Sequence, residues 1–230
     1  MNSTISKIVF LALLLFAGRT ASADTISYIL GTGNSAITPA PYSPFYGSVL
    51  VNRTSTTTAT ITFTADAGYM IFDSGAAAVN LNATTWSLSS LSGTLFSGAA
   101  TPQPTSGGSG QEDGFGNFNQ TFTQMDGYND AMTAFSFIVT DTSGTWSSAA
   151  NVLTGNSQGN LVAAHIGICN VDPCTSGGAA GGFFSSTGFA GETGSVISPE
   201  PRSLWLLGTA FLILPVIGLR RKVMSASVAH

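Results

Sequence analysis

Residues 58–65 read Thr-Ala-Thr-Ile-Thr-Phe-Thr-Ala, and residues 134–140 read Ala-Phe-Ser-Phe-Ile-Val-Thr. In the first stretch Ala59, Ile61, Phe63 and Ala65 share one face and the threonines share the other; Phe135, Phe137 and Val139 repeat the pattern in the second. A period of two marks a strand with one face buried and one face wet. Shorter versions occupy residues 25–30, 47–52, 69–72, 78–82, 85–91, 117–123 and 161–168, with Gly, Asn and Asp at the breaks. So many short strands, with no sustained helical period, predict an all-β fold: an antiparallel β-sandwich, jelly-roll-like. Only residues 147–153 suggest a short helix, opened by Ser147 and closed by Gly155.

Between these segments, residues 101–110 (TPQPTSGGSG) read as a flexible loop separating two sets of strands. Two subdomains are the alternative, but each would have little core, so one sandwich over residues 24–198 is preferred. Residues 177–182 read as a second loose loop and residues 191–198 as a tether.

The charge pattern narrows the function. Only 8% of the 230 residues are charged, and between Asp24 and Ser198 ten acidic residues face one basic residue, Arg53. Nucleic-acid binding needs a basic face and is excluded. Lysine is absent from that region, which removes Walker-type phosphate binding and Schiff-base chemistry.

The two ends read as addresses. Lys7, the apolar run 8–16 and Ala21-Ser22-Ala23 form a secretory signal peptide over residues 1–23, with cleavage expected between Ala23 and Asp24. Residues 204–219 (LWLLGTAFLILPVIGL) carry no charge and are followed by Arg220, Arg221 and Lys222. The run approaches the length of a transmembrane helix, and the cations stop transfer and hold residues 223–230 as a cytoplasmic tail. The segment between the two ends then faces outward.

Just ahead of the apolar run stand Pro199, Glu200 and Pro201. Pro-Glu-Pro, a short apolar helix and an arginine cluster, spanning 199–222, resemble the PEP-CTERM sorting signal of Gram-negative bacteria. The eleven residues from Arg220 to His230 form a longer tail than that family usually carries. The resemblance implies an exosortase as partner, a membrane-embedded thiol-type transpeptidase that removes the helix and passes the ectodomain to the cell surface or exopolysaccharide matrix. A GPI signal is the other reading of such an end, and the cationic tail opposes it. The phrases at 113–118 (DGFGNF), 144–146 (GTW) and 163–166 (AAHI) are similar to segments of PEP-CTERM ectodomains, with no catalytic role attached.

Chemistry inside the ectodomain is sparse. Cys169 and Cys174 (CNVDPC) are an even pair in an exported chain and are expected to form a local disulfide. A zinc site lacks partners beyond His165. Gly155-Asn156-Ser157-Gln158-Gly159 has the letters of a nucleophile elbow in the wrong order of elements, with no acid between Ser157 and His165, so it reads as a turn. Glu112, Asp113, Asp126 and Asp130 lie in a Gly- and Asn-rich stretch that suits solvated loops or a weak calcium site; no other cofactor or metal is implied. A glycosidase pair is set in three dimensions, and nothing in the letters selects one. Trp86, Trp146, Tyr42, Tyr46 and Tyr128 offer flat faces to sugars, though Trp146 is expected to cap the core. The sequence thus predicts a non-enzymatic, exported surface or matrix protein with a structural or adhesive ectodomain. The alternatives are an exopolysaccharide-binding module and a secreted hydrolase.

Overall fold

The alternation at Thr58–Ala65 becomes a strand with those bounds, paired along its length on both sides. The computed structural model describes residues 24–72, 75, 77–96, 103–124, 130–174, 184–192 and 196–197. In chain order the strands are β1 Asp24–Leu30, β2 Thr32–Gly33, β3 Gly47–Arg53, β4 Thr58–Ala65, β5 Tyr69–Ile71, β6 Ala77–Val79 and β7 Trp86–Leu95. They continue with β8 Thr105–Glu112, β9 Gly116–Thr123, β10 Met132–Asp141, β11 Val162–Cys169, β12 Phe184–Gly191 and β13 Val196–Ile197. Every pairing among them is antiparallel, so the all-β reading holds.

The strands follow the path β13-β1-β3-β4-β10-β5-β11-β6-β9-β8, with β7 added to β10, β12 to β11 and β2 to β12. A single pair, Met132 with Ile71, links the run that ends at β10 to the run that starts at β5. Both runs feed one core. Tyr28, Val49, Ile61, Phe63, Phe135 and Phe137 come from the first, and Ile71, Val79, Phe122, Val162, Ile166 and Ile168 from the second. Phe122 of β9 lies 4.3 Å from Phe137 and 5.4 Å from Phe135 between ring centroids, so strands remote on the path meet across the core. Burying each such ring stabilises the fold by about 2–3 kcal/mol.

Trp146 is buried at 2% exposure among these residues, its indole Nε1 donating to the Asn82 carbonyl at 2.8 Å. All described residues belong to one compact unit, so the two-subdomain alternative falls.

Three readings of the sequence change. The flexible loop at 101–110 is, from Thr105 onward, strand β8, paired with β9 from Thr105–Thr123 to Glu112–Gly116. Its glycines mark close approach: a Cβ at Gly107 would lie 2.6 Å from the Thr121 hydroxyl, and one at Gly110 would lie 2.8 Å from the Thr121 methyl. The tether at 191–198 contains β13, whose Val196 and Ile197 pair with Tyr28 and Ser27. The helix at 147–153 shrinks to a 3-10 turn at Ala149–Asn151. The loop at 177–182 and the expected helix at 204–219 lie outside the described residues. Among the described residues no helix is long and apolar enough to cross a membrane.

Candidate functional site

Ala23, Pro199, Glu200, Pro201, Arg220, Arg221 and Lys222 lie outside the described residues. Asp24, expected to start the mature chain, is the first residue of β1. Cys169 and Cys174 form the expected disulfide, with Cα atoms 5.5 Å apart. The Cys169 carbonyl accepts a hydrogen bond from the Tyr42 hydroxyl at 2.6 Å, fixing the loop that holds Tyr42 to the end of β11.

Among the described residues the acidic stretch does not converge. Glu112 ends β8 and is buried at 1% exposure, both carboxyl oxygens without a hydrogen-bond partner among the described residues. Burial pushes its pKa up to about 8, so at neutral pH it is mostly protonated and a poor cation ligand. Gly75, at φ +69, sits over it: a Cβ there would lie 3.4 and 3.5 Å from the two oxygens. Asp113 accepts from the Asn34 amide at 3.2 Å, Asp130 sits just ahead of β10, and Asp126 lies outside the described residues. Among the described residues no three His, Cys, Asp or Glu side chains are grouped to hold a metal.

The segment Gly155 to Gly159 is a turn. The Asn156 side chain holds it, accepting from the Gln158 and Asn160 amides at 2.9 and 3.1 Å and donating to the Phe115 carbonyl at 2.8 Å. Ser157 is exposed at its tip, ahead of β11 rather than of a helix. His165 lies within β11, stacked on Phe189 at 4.4 Å and edge-on to Phe72 at 5.3 Å.

Among the described residues the expected aromatics do not assemble a platform. Trp146 and Tyr46 are core side chains. Trp86 is half-buried against the core with its Nε1 bonded to Gln120 Oε1 at 3.1 Å, and Tyr128 lies outside the described residues. Tyr42 stays partly open and is tied to Cys169. The large apolar side chains most open near β1 and β3 are Phe45 at 42% and Leu50 at 41% exposure. Indoles supply the most apolar area per residue, so a core this rich in aromatics takes them in.

What the fold does assemble is a face of hydroxyls. The wet sides of β1, β3, β4, β10 and β7 align by register into rows that cross the strands. One row runs Ile29, Ser48, Thr64, Ala134, Thr94; the next runs Ser27, Leu50, Thr62, Ser136, Ser92. A third runs Thr25, Asn52, Thr60, Ile138, Ser89, and a shorter one Thr58, Thr140, Ser87. None of these side chains is charged. Strand spacing sets the rows about 7 Å apart, with neighbours along a row about 4.8 Å apart.

Elsewhere hydroxyls pair with each other, as Thr85 with Thr142 at 2.8 Å and Thr105 with Thr123 at 3.1 Å. The hydroxyls of Thr60, Thr62, Ser89, Ser92 and Ser136 make no hydrogen bond to a described residue. The shielded Asn52 Oδ1, in the third row, also has no partner among the described residues.

The face carries a shallow groove of about 270 Å³ lined by Thr62, Ser92, Gly93, Thr94, Ala134, Phe135 and Ser136. Ala134 has little side chain to fill it, while Gly93 faces inward, where a Cβ would meet Met132 and Phe135, and the register between β7 and β10 shifts between Ser136 and Ile138. Ser90 sits at that shift with φ +53, an uncommon angle for a residue other than glycine and a mark of a bulge. The signal for this face in the sequence was the threonine at every second position of 58–64; its continuation over four more strands depends on register. Compared with family models, characterised proteins and solved structures, the chain gives no match.

Proposed function

We propose that the chain is an exported surface or extracellular-matrix protein of a Gram-negative bacterium, sorted by an exosortase and structural or adhesive within an exopolysaccharide matrix. In this reading its strands form a two-layered, jelly-roll-like sandwich, and its role is non-catalytic. The observation that carries the reading is the C-terminal order of Pro199-Glu200-Pro201, the apolar run 204–219 and Arg220-Arg221-Lys222, in a chain with a signal-like N-terminus. Two features support it. The Cys169–Cys174 disulfide suits an oxidising compartment. The residues just before the motif form β13 on the edge of β1, so processing near Pro199 leaves the strands intact.

The test is the intact mass and terminal peptides of the protein recovered from a Gram-negative host with and without its exosortase. A mature chain starting at Asp24 and ending near Pro199 only when the enzyme is present supports the reading. Retention of His230 in both hosts overturns it and makes the helix a permanent anchor.

A further inference from the structure

The hydroxyl face is a surface with a defined chemistry and no partner among the described residues. Each Ser and Thr hydroxyl donates one hydrogen bond and accepts two, which suits a ligand that is itself a dense array of hydroxyls. The face has no charge with which to hold an anion or a cation, and acidic residues outnumber basic ones ten to one between Asp24 and Ser198. An anionic polymer is therefore repelled at long range and gains no ion pair on contact. Apolar side chains punctuate the rows: Ile29, Leu50 and Ile138 lie within them, and Phe45 borders Ile29 across Gly31. Such a mixture matches a pyranose ring, which presents hydroxyls at its rim and C–H groups on its faces. The strand spacing repeats these groups at about the length of one sugar unit. A flat site of this kind binds each unit weakly and a long chain tightly, through repetition.

We propose that the outer face of β1, β3, β4, β10 and β7 binds uncharged polysaccharide, with the groove at Thr62, Ser92, Thr94 and Ser136 as its anchoring subsite. The proposal rests on the exported-matrix reading for the source of its ligand.

The full chain, purified in detergent whatever its processing, is run in native gels containing hydroxyethylcellulose, dextran or alginate. Retardation is expected with a neutral polymer, unchanged by salt, and not with alginate. The double variant T62R/S92R should lose about tenfold in affinity, equal to about 1.4 kcal/mol. Q158R, placed in the exposed turn after Gly155, should bind as the parent does. S92A/S136A, which removes hydroxyls without adding bulk, should lose binding in part, so the result stands if the arginine variant fails to fold. Equal retardation of all variants, retention by alginate alone, or no retention by any polymer overturns the proposal. Failure of the sorting reading appears separately, in the terminal peptides.

Discussion

Arg53 Nε donates to Asp24 Oδ1 at 2.9 Å, joining the one basic residue between Asp24 and Ser198 to the first residue after the expected cleavage site. Asp24 Oδ2 also accepts the Ala149 amide at 3.0 Å, and Arg53 reaches the Ser55 carbonyl at 3.1 Å. One carboxylate thus ties β1 to β3 and to the 3-10 turn. The Arg53 side chain is only 12% exposed, so losing its partner strands a poorly hydrated charge.

Replacing Asp24 with Ala should therefore cost about 1–2 kcal/mol, while the 39% exposure of the Asp24 side chain lets solvent screen the pair and limits the loss. Urea unfolding of D24A and R53M measures it. Equal loss in both, with no further loss in the double variant, shows that the pair acts as a unit. An unchanged midpoint in D24A shows that the contact contributes nothing.

The Cys169–Cys174 bridge closes a loop of sequence separation 5, too short for a large effect on the entropy of the unfolded chain. Cys169 is itself buried with Met70, Phe72, Ala131 and Phe184. Reduction is expected to lower stability by about 2 kcal/mol and to loosen the Tyr42 loop through its bond to the Cys169 carbonyl. Thermal unfolding with and without a phosphine reductant reads the first effect, and amide exchange in residues 39–46 reads the second. Full protection of those amides after reduction would separate the loop from the bridge.

Strand β4 was legible because its own side chains state which face is buried: Ile61 and Phe63 point to the core and Thr60 and Thr62 do not. Strand β8 was not legible, because its glycines and serines bury almost nothing of their own and its strand character comes from β9. The same holds for β12, where a Cβ at Gly188 would lie 2.5 Å from Asn34 Oδ1 and one at Gly191 would meet the Phe115 ring. There glycine marks where another element closes in, a meaning it shares with turns in a bare sequence. The hydroxyl face failed for a different reason. Ser27, Leu50, Thr62, Ser136 and Ser92 form one row, and register between distant segments is not written in any one of them.

The buried carboxyl of Glu112 sets the pH dependence on the alkaline side. Its pKa rises from 4.5 to about 8 because burial penalises the charged form, and among the described residues neither oxygen has a hydrogen-bond partner to offset this. Between these values the folded chain keeps the proton and the unfolded chain has released it. Stability is therefore greatest below about pH 4.5 as far as this group is concerned, falls as pH rises, and levels off above about 8.

At about 1.4 kcal/mol per unit, the fall amounts to about 3–5 kcal/mol across the window. Asp141 acts on the acid side of this window. Burial raises its pKa, but hydrogen bonds from the Ser143 amide and hydroxyl and the Gly144 amide outweigh that and hold it below its ordinary value. Tyr28, pushed up to about 12 by burial and by the nearby Glu192 charge, titrates well above the window. The Glu112→Gln variant cannot ionise, so its stability should stay flat from pH 5 to about 8 while that of the parent declines. Denaturant midpoints of both proteins across that range provide the comparison. Parallel curves would mean that Glu112 is charged in the folded state, with the region around Gly75 open to water or a counter-ion.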